Sequence, residues 1–157
     1  MSFTDFIAKF PAVTMPITLG ETTHHVFGVE NEPLSETEIE TFILPVEQTE
    51  MDEFTEFIPC FSIADTENFI AVVWWKAELL NYKYTLATYT LKGGLIGHEE
   101  IAGMRVQEEK VFRSVAMINE EYEITIAEGE SLDGDQLFDP TTSKTRYKEI
   151  MVNGEIV

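Results

Sequence analysis

The sequence predicts a mainly β, α+β fold: an antiparallel β-meander forming a curved sheet or partly open barrel, with two short amino-terminal helices packed on one side. Three observations predict it. The hydrophobic period becomes two from Phe57 onward. Hairpin-type turn residues recur between the apolar runs of that region. Helix-start signals stand only in the first third of the chain.

The first helix begins at Ser2, a capping residue with Asp5 three positions on. Phe3, Phe6, Ile7 and Phe10 then fall on one helical face, and Pro11 ends it. So short a helix needs a surface to dock on. Residues 12–29 read as extended. Val13, Met15, Ile17 and Leu19 alternate with polar or proline positions, Gly20 breaks the run, and His24 to Val29 resumes it. Pro16 marks an edge or irregular segment.

Ser35 with Glu38 forms a capping box for the second helix. Ile39, Phe42 and Ile43 make its apolar face, Leu34 can staple onto Ile39, and Glu36, Glu38 and Glu40 are expected in water. Acids at Glu36 and Glu38 also suit the positive end of the helix dipole. Pro45 is expected to close it.

Phe57, Pro59, Phe61 and Ile63 then alternate with Ile58, Cys60 and Ser62, and Asp65 to Asn68 reads as a turn. Phe69 to Lys76 is apolar on both faces. Phe69, Ala71, Val73 and Trp75 fall on one, and Ile70, Val72 and Trp74 on the other. Such a strand is expected to be central and covered twice, with the helices over one face. Three hairpins follow: Tyr82–Leu91 with Leu95–Met104, Lys110–Ile118 with Glu121–Glu128, and Thr145–Val152 with Glu155–Val157. Their turns are Lys92-Gly93-Gly94, Asn119-Glu120 and Asn153-Gly154. Gly129–Ser143 reads as a long loop. No domain boundary interrupts this order, so residues 1–157 read as a single domain.

The formal net charge is −19. Residues 1–75 hold 14 acids and one cation, Lys9, whereas residues 76–157 hold 15 acids and nine cations. This field repels nucleic acid and anionic membranes and attracts basic partners. Its plainer consequence is solubility. The lone Cys60 cannot form an internal disulfide, and no signal-type or membrane-spanning stretch is read, so the expected location is cytoplasmic.

No constellation required by catalysis emerges. His24 and His25 are neighbours that a strand would point to opposite faces, so they do not read as one chelating pair. Asp133-Gly134-Asp135 has the opening of a calcium loop, but Leu137 and Lys144 occupy its fifth and twelfth positions. Cys60, between Pro59 and Phe61, reads as a core thiol. The carboxylate pairs Glu99-Glu100 and Glu108-Glu109 read as solvated strand ends. Trp74 and Trp75, with Tyr82, Tyr84 and Tyr89, read as core aromatics first and as a ligand surface second.

The segments Phe10-Pro11, Ile58-Pro59-Cys60-Phe61, Asn68-Phe69-Ile70-Ala71-Val72 and Leu86 to Gly97 carry a resemblance. Their order resembles small uncharacterised bacterial β-rich proteins of Bacteroidetes-type genomes, with the pattern L-x-T-Y/F-x-x-x-G-x-x-I. The resemblance implies a β-rich fold and brings no activity, cofactor or site residue.

These readings lead to a non-enzymatic binding or interaction protein. Its sharper form is an acidic, partner-capturing protein of immunity or inhibitor type. A basic protein would meet Glu36, Glu40, Glu47, Glu50, Asp52 and Glu53. The alternative is a small-ligand binding protein or enzyme with a pocket inside the curved sheet, using Trp74, Trp75 and His98. No cofactor or metal is expected.

Overall fold

A computed structural model describes residues 2–132 and 142–157. Its frame is a nine-stranded, mostly antiparallel sheet that does not close on itself. From Glu56 the strands are β3 (Glu56–Ile63), β4 (Ile70–Ala77), β5 (Asn81–Tyr89), β6 (Leu95–Gln107), β7 (Lys110–Ile118), β8 (Glu123–Leu132) and β9 (Lys144–Glu149). Each pairs with the next, which is the expected meander. Two earlier strands complete it. β1 (Ala12–Val13) lies parallel on β3, and β2 (Ile17–Leu19) lies antiparallel on β7.

The curvature has a local cause. Pairing between β5 and β6 shifts register between Tyr84 and Thr85, and such irregularities bend a strand. β7 pairs through Lys110–Ser114 with the last part of β6 and through Ala116–Ile118 with β2. β2 thus takes the edge of β7 that the earlier part of β6 leaves.

The two faces of β4 carry two cores. Phe69, Ala71, Val73 and Trp75 join Tyr84, Leu86, Ile101, Ile118, Ile124 and Ile126 in the inner one, with Leu19 from β2. Val72 and Trp74 join Ala87, Tyr89, Phe57 and the apolar side chains of the helical segments in the outer one. Helix α1 (Phe3–Ile7) supplies Phe6, whose ring stacks on Phe42 at 4.7 Å. Ser2 caps it, its hydroxyl accepting from the Asp5 N–H. The two predicted amino-terminal helices therefore cover one side of the sheet, as expected.

The second predicted helix runs on through Pro45. It consists of α3 (Glu36–Glu38), a π-helical turn Ile39–Ile43, and α4 (Leu44–Glu47). A proline ring clashes with the carbonyl four residues back in a regular helix. The π turn, in which the Leu44 N–H donates to the Ile39 carbonyl, lets Pro45 start a new segment. Gln48 ends it in the left-handed region at φ 54°.

Other expectations are corrected. His24–Val29 is not extended: it lies in helix α2 (Thr23–Glu30). No side chain caps this helix locally. Its first turn is held instead by Tyr84 of β5, whose hydroxyl accepts from the His24 N–H at 2.8 Å and donates to the Gly20 carbonyl at 3.0 Å. At its far end Asn31 donates to the carbonyls of Pro59 and Cys60. The β3–β4 register shifts between Pro59 and Phe61, so the alternation of β3 reverses there. Phe57 lies in the outer core while Cys60, Phe61 and Ile63 lie in the inner one. Gly129–Leu132 extends β8 rather than opening the long loop; residues 133–141, with Asp133 and Asp135, lie outside the described residues. The last hairpin forms as expected: Glu149 and Val157 exchange backbone hydrogen bonds, the Met151 N–H donates to the Glu155 carbonyl, and Ile150 bridges Ile156. Gly154 turns it at φ +92°, where a Cβ would stand 2.8 Å from Ile96 Cδ1.

Glu38 is corrected too: its side chain is fully buried, not in water. As the N3 residue it accepts from the Ser35 N–H at 2.9 Å, which turns the carboxylate toward the chain. Lys9 then reaches the same oxygen and also donates to the Pro33 carbonyl. Burial alone would raise the Glu38 pKa. The Lys9 ammonium and the Ser35 donors outweigh it and hold the carboxyl below its ordinary value. This pair ties the α1 segment to α3. Replacing Lys9 by Met strands a buried carboxylate and is expected to cost about 3 kcal/mol, the lower end for breaking a buried pair. Urea unfolding of wild type and Lys9→Met measures it, and a loss within error of zero contradicts the assignment.

Candidate functional site

The segment from Glu30 to Glu56 has ten acids, and the structure sorts them into two groups. Glu38 and Glu47 turn inward and each takes a lysine. Glu38 pairs with Lys9, and the Glu47 carboxylate, 2% exposed, pairs with Lys83 at 2.9 Å. Glu47 also accepts from Trp74 Nε1 at 3.3 Å and from the Thr85 hydroxyl at 3.0 Å. The other eight, Glu30, Glu32, Glu36, Glu40, Glu50, Asp52, Glu53 and Glu56, are exposed. Among the described residues, none of the eight has a lysine, arginine or histidine nitrogen within 4 Å. So five of the six acids expected to meet a partner lie on the surface, and Glu47 is set apart as a buried strut of the outer core.

Within this segment the loop around Asp52 has a defined form. Asp52 Oδ1 accepts from the Phe54 N–H at 2.8 Å and from the Thr55 hydroxyl at 2.9 Å, an Asx-type turn. Those donors, the Phe54 N–H first, hold the Asp52 carboxyl below its ordinary pKa. The turn leaves Met51 and Phe54 on the surface, with Phe54 52% exposed, among Glu50, Asp52 and Glu53. The charge pattern marked this loop in the sequence; the exposed phenylalanine did not stand out, because it sits among eleven in the chain.

Trp74, Trp75 and His98 are not brought into one site. Trp74 is fully buried in the outer core and Trp75 is nearly so in the inner one. His98 is exposed on β6, where it and Glu47 line a small depression of about 270 Å³. Trp74 reaches that depression only through its bond to Glu47. The inside of the curved sheet at Trp75 is packed: the indole stacks on the His24 ring at 4.1 Å and 2°, with Tyr82 at 5.9 Å. Cys60 is fully buried, and burial pushes its thiol pKa up, the opposite of what a nucleophile needs.

A large concavity, about 780 Å³, lies elsewhere, along β5 to β9. Basic side chains gather there. Arg146 pairs with Glu128 at 3.2 Å and with Glu99 at 3.6 Å, Lys148 reaches Glu99 at 3.8 Å, and Lys144 reaches Glu128 at 3.8 Å. These residues are scattered over some fifty positions, and only the fold of the meander joins them. Of its tyrosines, Tyr82 has its pKa pushed up to about 12, by burial first and by Glu21 second. That is a retained proton at neutral pH and no general base.

No helix of the described residues is long and apolar enough to cross a membrane. Comparison of the chain with protein-family models, with characterised proteins and with solved structures finds no match.

His24 supplies a pH prediction. Burial against Trp75, and then the neighbouring His25, hold its pKa below the ordinary 6.5. The unfolded chain therefore takes up a proton that the folded protein resists. Stability from this group is complete above about pH 6.5 and declines as pH falls below it. Urea midpoints measured across that range should fall in wild type and fall less in His24→Phe. Identical slopes contradict the account.

Proposed function

We propose that this chain is a non-enzymatic binding protein that captures a basic protein through its acidic segment Glu30–Glu56, in the manner of an inhibitor or immunity-type protein, in the cytoplasm. One observation carries the reading. Eight exposed acids have no cationic neighbour among the described residues, while the two buried acids of the same segment each hold a lysine. A surface acid without a partner contributes little to the fold and repels its like neighbours. The same field speeds the approach of a basic partner and rejects polyanions such as nucleic acid.

The Asp52 turn adds the apolar element that such a contact needs. Interfaces hold by a few desolvated anchors inside a polar rim. Phe54 and Met51, presented among Glu50, Asp52 and Glu53, have that arrangement. Charge then sets the rate of encounter, and the phenyl ring sets how long the complex lasts.

Capture from the native host at low salt and at about 0.5 M salt tests this. The expected partner is basic, binds more tightly at low salt, and is lost by a variant carrying Glu36→Gln, Glu40→Gln, Glu50→Gln, Asp52→Asn and Glu53→Gln. Phe54→Ala should leave the association rate nearly unchanged and raise the dissociation rate by about tenfold or more. A partner whose affinity ignores both salt and these substitutions removes the reading.

A further inference from the structure

We infer that the large cleft along β5 to β9 is a binding site for a small molecule bearing an oxyanion, a carboxylate or a phosphate, held by Arg105 and Ser114. The inference concerns a different surface from the acidic segment and goes beyond the partner reading.

The cations of this acidic chain are nearly all committed to carboxylates where they line the cleft. Lys83 is held by Glu47, and Arg146 by Glu99 and Glu128. Arg105 differs. Its guanidinium lies 4.7 Å from the centre of the Phe112 ring, and among the described residues no carboxylate oxygen lies within 4 Å of it. The ring positions the guanidinium plane and leaves its donors unused, an arrangement suited to a flat, two-pronged contact with an oxyanion. An exposed arginine with no acid beside it is unusual in a chain with 29 acids and 10 cations.

Strand register places a second donor next to it. Arg105 pairs across the β6–β7 ladder with Phe112, and Gly103 pairs with Ser114. Residues two apart on a strand share a face, so Ser114 is the diagonal neighbour of Arg105, about 7–8 Å away at Cα and within reach of its long side chain. The Ser114 hydroxyl makes no hydrogen bond with a described residue, unlike Thr85 and Thr88 on β5. Between them Gly103 carries no side chain and cannot. A Cβ there would stand 2.4 Å from the Tyr82 carbonyl oxygen. Tyr82 and Lys83 of β5 thus pack directly against Gly103, and Glu128 and Glu130 of β8 stand opposite Ser114 and Phe112.

Five acids line the cleft, and four of them are engaged by cations; Glu100 has none within 4 Å among the described residues. Glu78 is engaged by Lys76 and Glu99 by Arg146 and Lys148. Glu128 is engaged by Arg146 and Lys144, and Glu130 by Lys110 at 3.4 Å. A cleft of about 780 Å³ also falls in the range of small-ligand sites.

Titration of the intact protein with succinate, and separately with inorganic phosphate, tests the site by amide chemical shifts up to about 10 mM ligand. The expected result is a saturable shift centred on Gly103, Arg105, Phe112 and Ser114. The probe that saturates at lower concentration identifies the group as carboxylate or phosphate. Arg105→Gln should weaken that probe about tenfold or more, and Ser114→Ala should weaken it less, both with unchanged urea midpoints. Absence of a saturable shift at these residues with either probe overturns the inference, as does undiminished binding by Arg105→Gln.

Discussion

Strand β4 has no polar face. Ile70, Val72 and Trp74 point one way and Ala71, Val73 and Trp75 the other, so the strand is stable only if both sides leave water together. Each large side chain so buried contributes roughly 1.5–3 kcal/mol, and the two indoles more than most. The architecture follows from satisfying that demand twice. On one side α1 and the α3–α4 run bring Phe6, Phe10, Ile39 and Ile43. On the other, the sheet bends until β7 and β8 bring Ile118, Ile124 and Ile126 over, with β2 filling the edge that β6 leaves.

The charges are arranged around those cores. Each inward-turned acid of the Glu30–Glu56 segment has a lysine: Glu38 Oε1 accepts from Lys9 and the Ser35 N–H, and Glu47 from Lys83, Thr85 and Trp74. Lys9 is the only lysine or arginine of the first 75 residues, and it is used to close the outer layer rather than to offset surface charge. In the second half, Lys144, Arg146 and Lys148 tie β6, β8 and β9 together. What remains is an amino-terminal segment whose eight surface acids have no cation within 4 Å among the described residues, and an exposed Arg105 with no carboxylate that close.

Local rules were enough for much of this. The period of two from Phe57, the double-faced β4, the Ser35 capping box and the Gly93 turn were all legible because each is decided within a few residues. Several misreadings share one cause, a partner distant in sequence. Helix α2 has a poor helical sequence, Thr-His-His-Val-Phe-Gly-Val-Glu, and forms because Tyr84 and Asn31 tie its two ends to β5 and β3. Glu38 looks like a surface residue until Lys9 arrives from 29 positions away. The reversal of alternation in β3 depends on the register shift at Pro59, which its hydrophobic pattern does not encode. The acidic segment was visible as a charge count, whereas the cleft was not, because Arg105 and Ser114 become neighbours only through the β6–β7 register.

The double burial of β4 is tested most directly by its own fluorophores, since the only two tryptophans of the chain are Trp74 and Trp75. Acrylamide quenching of the native protein should show blue-shifted emission and a single shallow slope, both indoles being withdrawn from solvent at 0% and 7% exposure. A component quenched as steeply as in the urea-unfolded chain would mean that one face of β4 is open to water, and the two-core account would fail.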